Sequence, residues 1–304
     1  DSIATLYELH WQAINPQERD TLYGLIREQS QLAAQYDIPR ELDKIYKTMG
    51  AVGRNAHTWV EETVYKVDLP SNRLQQWVTV EAERFSNPVF RHFQTELEAI
   101  YEEKNRTLDN KGRLIREAVK QQLWKVHPYG QHTTIGTVDH LKNPSLNRMY
   151  EFFDTWYVPN NMAVVISGDI DIEQTMSLID EHFGIWEPKQ LPALPTWKEE
   201  RLVGAEAVEV FYPGEEYVLL AFRTEPSTHK STEALQLLDM ILDNSTAGLI
   251  NLNLNQQQRV RRAGATSTSH GMSNDLGAQY LYGIPKQGQP LEEVQLLLLE
   301  QLEI

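Results

Sequence analysis

The sequence contains no cysteine. Disulfides, thiol catalysis and thiolate metal sites are therefore excluded together, and any metal site must be built from His, Asp and Glu. Basic residues are in deficit, with 28 Lys and Arg against 43 Asp and Glu and a formal net charge of −15. Such a surface repels nucleic acid and anionic membrane, and serves solubility first. No run approaches the roughly 18 apolar residues of a membrane span; the most apolar stretch is Leu296 to Leu299. Also missing are a Gly-rich phosphate loop, a Gly-x-Ser-x-Gly elbow, a basic patch laced with aromatics and a short-period repeat. Asp1-Ser2-Ile3-Ala4 offers neither a basic n-region nor an apolar h-region, so no signal peptide is visible. An initial Met is absent, and Leu302-Glu303-Ile304 closes the sequence inside an apolar periodic stretch. The expectation from these ends is a fragment.

What remains is the composition of a globular protein, 304 residues with 41% hydrophobic and 9% aromatic content, enough for two domains with cores of their own. Residues 1 to 49 carry helical periodicity. Asn15-Pro16-Gln17-Glu18 starts a helix running to about Tyr36, and Pro39 opens a shorter one that stops near Gly50. His57 to Lys66 alternates as a strand. Pro70-Ser71 caps a helix ended by Pro88, and a long helical pattern then runs from Val89 to Leu123, weakened at Asn110-Lys111-Gly112. After a loop at His127-Pro128-Tyr129-Gly130, Ser145 caps a helix bearing Phe152, Phe153 and Trp156. Met162 to Ser167 reads as a buried strand, and Asp171 with Gln174 forms a capping box for a helix ending at Phe183-Gly184.

Pro188, Pro192 and Pro195 mark residues 188–197 as a linker. Beyond it, Val208 to Tyr212 and Tyr217 to Phe222 flank Pro213-Gly214 as a hairpin. Helical stretches follow, at Thr232 to Leu242 and on to about Arg262; Gly277 to Ile284 reads as a strand, and Pro290 begins another helix. The expected class is α+β, in two successive domains over residues 1–190 and 198–304.

The stretch Glu96 to Glu103 carries the most chemistry. Glu96 and Glu103 are seven residues apart, so on a helix they lie within about 20° of one another, two turns along one line. The pattern has two readings, a pair of aligned functional carboxylates or a solvated acidic face. His127 and His132 could share a metal or serve as loop hydrogen-bonders. In a strand, His57 and Glu61 would be more than about 10 Å apart, too far for one ion. Asp169 and Asp171 begin like a calcium loop, but no acidic ligand follows at the required offsets and Asp171 is placed as an N-cap.

Three stretches in order resemble the pitrilysin/insulinase family of zinc peptidases. They are Gly53-Arg54-Asn55-Ala56-His57-Thr58, leading to Thr63-Val64-Tyr65 and Leu69-Pro70; Glu96 through Glu103 with Lys104-Asn105-Arg106; and His127-Pro128-Tyr129-Gly130 followed by Tyr157-Val158-Pro159-Asn160-Asn161-Met162 and Gly168-Asp169-Ile170-Asp171. The resemblance covers essentially the whole sequence. It implies two domains, each with a mainly antiparallel sheet packed by helices and each incomplete here. It also implies a zinc endopeptidase that cleaves peptides or unfolded segments with a metal-activated water. In the family an H-x-x-E-H segment gives two His ligands and the general base, and a downstream Glu completes the shell. That downstream ligand matches Glu103, while Glu96 matches a carboxylate that supports the site from behind. Asn55, Ala56, His57 and Thr58 match an edge strand on which a peptide substrate adds as a further strand.

One departure is as informative as the match. No H-x-x-E-H occurs in the 304 residues; in the family it would precede Asp1. The expectation is that this chain alone binds no catalytic zinc and is inactive, needing the missing second half of the same chain or a partner subunit. The competing expectation is a non-catalytic scaffold or peptide-binding subunit of the same fold. The absence of Cys and the likeness to bacterial members lean towards the periplasm or another extracytoplasmic site, without assigning a compartment.

Overall fold

The computed structural model describes residues 2–90, 92–268 and 273–304; Asp1, where the expected helical region begins, lies outside them. The N-terminal helical region resolves into α1 (Ser2–Gln12), α2 (Pro16–Ala34) and α3 (Glu41–Thr48). Asn15 caps α2 as expected, its side chain accepting from the Gln17 N–H with Pro16 at the first turn. Then come β1 (Val52–Thr58), β2 (Thr63–Asp68), α4 (Leu74–Ser86), α5 (Phe93–Leu108), α6 (Lys111–Leu123) and the short α7 (Pro128–Gln131). The order continues with α8 (Val138–Lys142), α9 (Leu146–Trp156), α10 (Ile172–Phe183), β3 (Val218–Thr224), α11 (Thr232–Leu242), β4 (Arg262–Ser267), β5 (Gly277–Ile284) and α12 (Leu291–Glu300). The helix-rich α+β class is as the sequence indicates, with a two-stranded sheet β1–β2 and a three-stranded antiparallel sheet β3–β5–β4.

Two compact units share these elements. One comprises Asp1–His57, Val64–Asn105 and Ile135–Thr196; the other comprises Thr58–Thr63, Arg106–Thr134 and Trp197–Ile304. In the first, Tyr7, Ile26 and Leu146 form a buried cluster with Ile3, Leu6, Phe90 and Phe93 against them, and Tyr46, Met49, Val78, Ala82 and Val158 are buried apart from it. The Tyr7 and Phe93 rings meet edge to face at 4.9 Å, the favoured offset geometry. The second unit is better filled. Leu281 on the central strand β5, Leu242 on α11 and Val294, Leu297 and Leu298 on α12 join one buried cluster with Ile250, Leu254, Val260 and Ala263. Gly283 lets α12 approach β5, since a Cβ there would lie 2.5 Å from Val294 Cγ1.

Several local expectations need correction. His57 to Lys66 is not one strand: Trp59–Glu62 form the turn between β1 and β2, closed by the Trp59 N–H donating to Glu62 O at 2.8 Å. The helical pattern from Val89 to Leu123 is two helices, because Asn110 accepts from the Arg113 N–H and starts α6 afresh. His127–Gly130 is a helical turn rather than a loop, with His127 as the N-cap of α7. Met162 to Ser167 forms no strand; alternation and apolarity supply propensity, but a strand exists only against a partner ladder. Val208 to Tyr212 likewise forms none, and the expected hairpin is absent. That segment is tied elsewhere, with Tyr212 Oη donating to Asp109 O at 2.6 Å and Lys111 Nζ donating to the Glu215 carbonyl. The helical stretch towards Arg262 stops early, and β4, with its Arg-Ala-Gly-Ala-Thr-Ser composition, begins there.

Candidate functional site

Helix α5 is anchored by Phe93 and the buried Gln94 in the first unit. Glu96 and Glu103 both project from its exposed side, as their seven-residue spacing requires. Leu97 and Tyr101 are half-buried on the other side. The helix therefore presents two solvent-facing carboxylates two turns apart.

Asn55, Ala56, His57 and Thr58 lie on β1, every residue of which is exposed. In the two-stranded sheet, β1 pairs with β2 alone among the described residues; a strand added along its other edge would do so through main-chain hydrogen bonds. Asn55 Oδ1 accepts from the Ala56 N–H at 2.9 Å. That main-chain donor already has a local partner, which an incoming strand would have to displace at Ala56.

His127 is a structural residue. It is buried, its Nδ1 accepts from the Tyr129 N–H at 3.1 Å, and its Nε2 lies 3.2 Å from Asp275 Oδ2. Trp197 packs edge-on against its ring at 4.9 Å. His132 follows α7 as its C-cap, donating its N–H to Pro128 O. Asp171 caps α10, accepting from the Gln174 N–H at 2.8 Å, so the calcium-loop start is an N-cap. Sequence reading missed Glu199. Its carboxylate accepts from the consecutive backbone N–H groups of Lys125, Val126 and His127 at 3.1, 2.8 and 2.7 Å, with Arg223 at 3.3 Å. Burial pushes the Glu199 pKa up, but these donors and the Arg223 charge outweigh it and hold the carboxyl below its ordinary value.

Zinc asks for three protein ligands around an open fourth position. Among the described residues no three His, Asp or Glu side chains come together to hold a metal ion. Nor is any helix among the described residues long and apolar enough to cross a membrane.

Comparison with known proteins places this geometry. Residues 144–303 match the family model described as the peptidase M16 inactive domain, and residues 31–136 match that of insulinase, peptidase family M16. The chain belongs to peptidase family M16. Zinc protease PqqE of Helicobacter pylori is 26% identical over 274 residues, which span 86% of this chain and 61% of that protein. The zinc protease PQQL-like of Arabidopsis thaliana is 29% identical over 177 residues, 54% of this chain and 18% of that protein. The chain thus spans less than two thirds of the length of these relatives. The crystal structure of a protease from Helicobacter pylori superposes with a TM-score of 0.71 at 23% identity, covering 86% of this chain and 64% of that one. The first half of the periplasmic protease PqqL from Escherichia coli superposes with a TM-score of 0.60 at 18% identity, covering 81% and 55%. At these identities the superpositions speak to the fold alone.

Proposed function

We propose that these 304 residues are one part of a zinc endopeptidase and supply the protein side of its active site incompletely. Glu103 is the one zinc ligand they contribute, Glu96 supports the site from behind, and the edge of β1 at residues 55–58 receives an extended peptide. The two His ligands and the general base come from an H-x-x-E-H segment outside these residues, and the chain alone is inactive. The observation that carries this reading is the exposed, aligned pair on α5 in a family M16 chain that holds no H-x-x-E-H.

Open surface supports it. The accessible area is 20317 Å², whereas two compact units of half the mass, touching nowhere, would expose about 15,800 Å² together. Part of the surplus is apolar, including Val165, 87% exposed in the unpaired segment after α9. We also propose that residues 188–197, which carry no helix or strand, join domains over 1–190 and 198–304. A second reading, a non-catalytic subunit that binds peptide or scaffolds a partner, draws on the match of residues 144–303 to the inactive-domain model.

The test joins this chain to the H-x-x-E-H segment of its parent sequence and measures zinc content and peptide hydrolysis. Glu103→Gln is expected to lose zinc and nearly all hydrolysis, and Glu96→Gln to lose about 10- to 100-fold. Full activity in Glu103→Gln overturns Glu103 as the ligand; no hydrolysis by the joined chain, or a parent with no H-x-x-E-H, decides for the non-catalytic reading.

A further inference from the structure

A cavity of about 480 Å³ lies in the first unit between α1, α2, α5 and the end of α8 with Pro144 beyond it. It falls within the usual size range of small-molecule sites, about 300–1,000 Å³. Its α5 wall is Gln94, Leu97, Glu98, Tyr101 and Glu102. At about 100° per residue these centre on a direction nearly opposite to Glu96 and Glu103. The cavity is therefore separate from the candidate zinc carboxylates, although the same helix carries both.

Its polar wall is already aligned. Tyr7 Oη donates to Gln94 Oε1 at 2.5 Å, which fixes the amide so that Nε2 donates to Tyr23 Oη at 2.8 Å and to Glu98 Oε1 at 2.9 Å. His10 also lines the cavity. It is only 7% exposed, and its Nδ1 has no hydrogen-bond partner among the described residues. Leaving such an atom unmatched costs free energy, and native interiors rarely do so without a water or a ligand. The remaining chemistry is aromatic and acidic. Tyr7, Tyr23 and Tyr101 supply π-faces, and Lys142 Nζ lies 5.7 Å from the Tyr101 centroid, in cation–π range. The lining holds two carboxylates, Glu98 and Glu102, and one lysine, Lys142.

We propose that this cavity binds an organic cation, an ammonium group on an apolar stem, with the charge beside Glu98 and Glu102, the stem against the tyrosine rings and a polar group of the ligand on His10 Nδ1. A free amine and a lysine side chain of a bound peptide share this chemistry, and the test separates them.

Titration of the 304-residue chain with 2-phenylethylamine, followed by calorimetry and by the imidazole ¹⁵N shifts of His10, should saturate at or below about 1 mM. The neutral 2-phenylethanol should bind at least about tenfold more weakly, since it lacks the cation. Glu98→Gln, which keeps the shape of the wall, should weaken amine binding about tenfold, and the exposed Glu102→Gln should weaken it in the same direction without threatening the fold. N-acetyl-lysine amide binding as well as the amine assigns the site to a peptide side chain; preference for the amine assigns it to a free ligand. No saturable binding of either cation, equal binding of amine and alcohol, or binding indifferent to both Glu variants overturns the proposal and leaves His10 Nδ1 to an ordered water.

Discussion

The sheet β3–β5–β4 closes on a buried core, whereas every residue of β1 in the hairpin β1–β2 is exposed. On β5 five of eight residues are buried, and Leu281 there joins one cluster with Leu242 of α11 and Val294, Leu297 and Leu298 of α12. Every residue of β1 is exposed, and the strand-like Met162 to Ser167 of the same unit pairs with nothing among the described residues. Burial stabilises roughly in proportion to the apolar area removed from water. The second unit has more of that area buried, and the first leaves much of its own uncovered.

The contrast can be broken or sharpened in order of expected effect. Leu298→Ala, at a fully buried position on α12, should cost about 2–5 kcal/mol in urea unfolding. A loss under 1 kcal/mol would mean the second unit is no better packed than the first. Glu199→Ala should cost about 2–3 kcal/mol, because three backbone N–H groups and Arg223 lose a charged acceptor. The same carboxylate predicts a pH dependence. Its pKa is lower folded than unfolded, so its contribution is complete above the ordinary Glu value of about 4.5 and disappears as pH falls through the folded value. Unfolding curves between neutral pH and pH 3 should show this loss in the parent chain and a smaller one in Glu199→Gln. The smallest effect belongs to the open unit: Val165→Ala, at 87% exposure, should stay within about 0.5 kcal/mol. A cost like that of Leu298→Ala would show that the segment is covered after all.

Much of this was legible in local chemistry. Asn15, Ser145 and Asp171 cap the helices that they announce, and Thr232–Leu242 and Gly277–Ile284 are bounded as their periodicity indicates. Strand formation was legible only where a partner exists. Val208 to Tyr212 has the composition but is held by Asp109 through Tyr212, and β4 lacks the composition but has β5 beside it. The carboxylate line on α5 follows from spacing within one helix, so the sequence could indicate it. The Glu199 contacts and the His10 cavity join residues from distant parts of the chain, and no single stretch announces them.

The central claim is that these residues hold one zinc ligand and not a site. Metal analysis of the purified chain after incubation with equimolar zinc and gel filtration, with peptide hydrolysis measured on the same sample, tests it directly. The account predicts well below about 0.1 tightly held zinc per chain, since one carboxylate cannot replace a three-ligand shell, and no chelator-sensitive hydrolysis. One zinc per chain with hydrolysis that both chelation and Glu103→Ala abolish would contradict it.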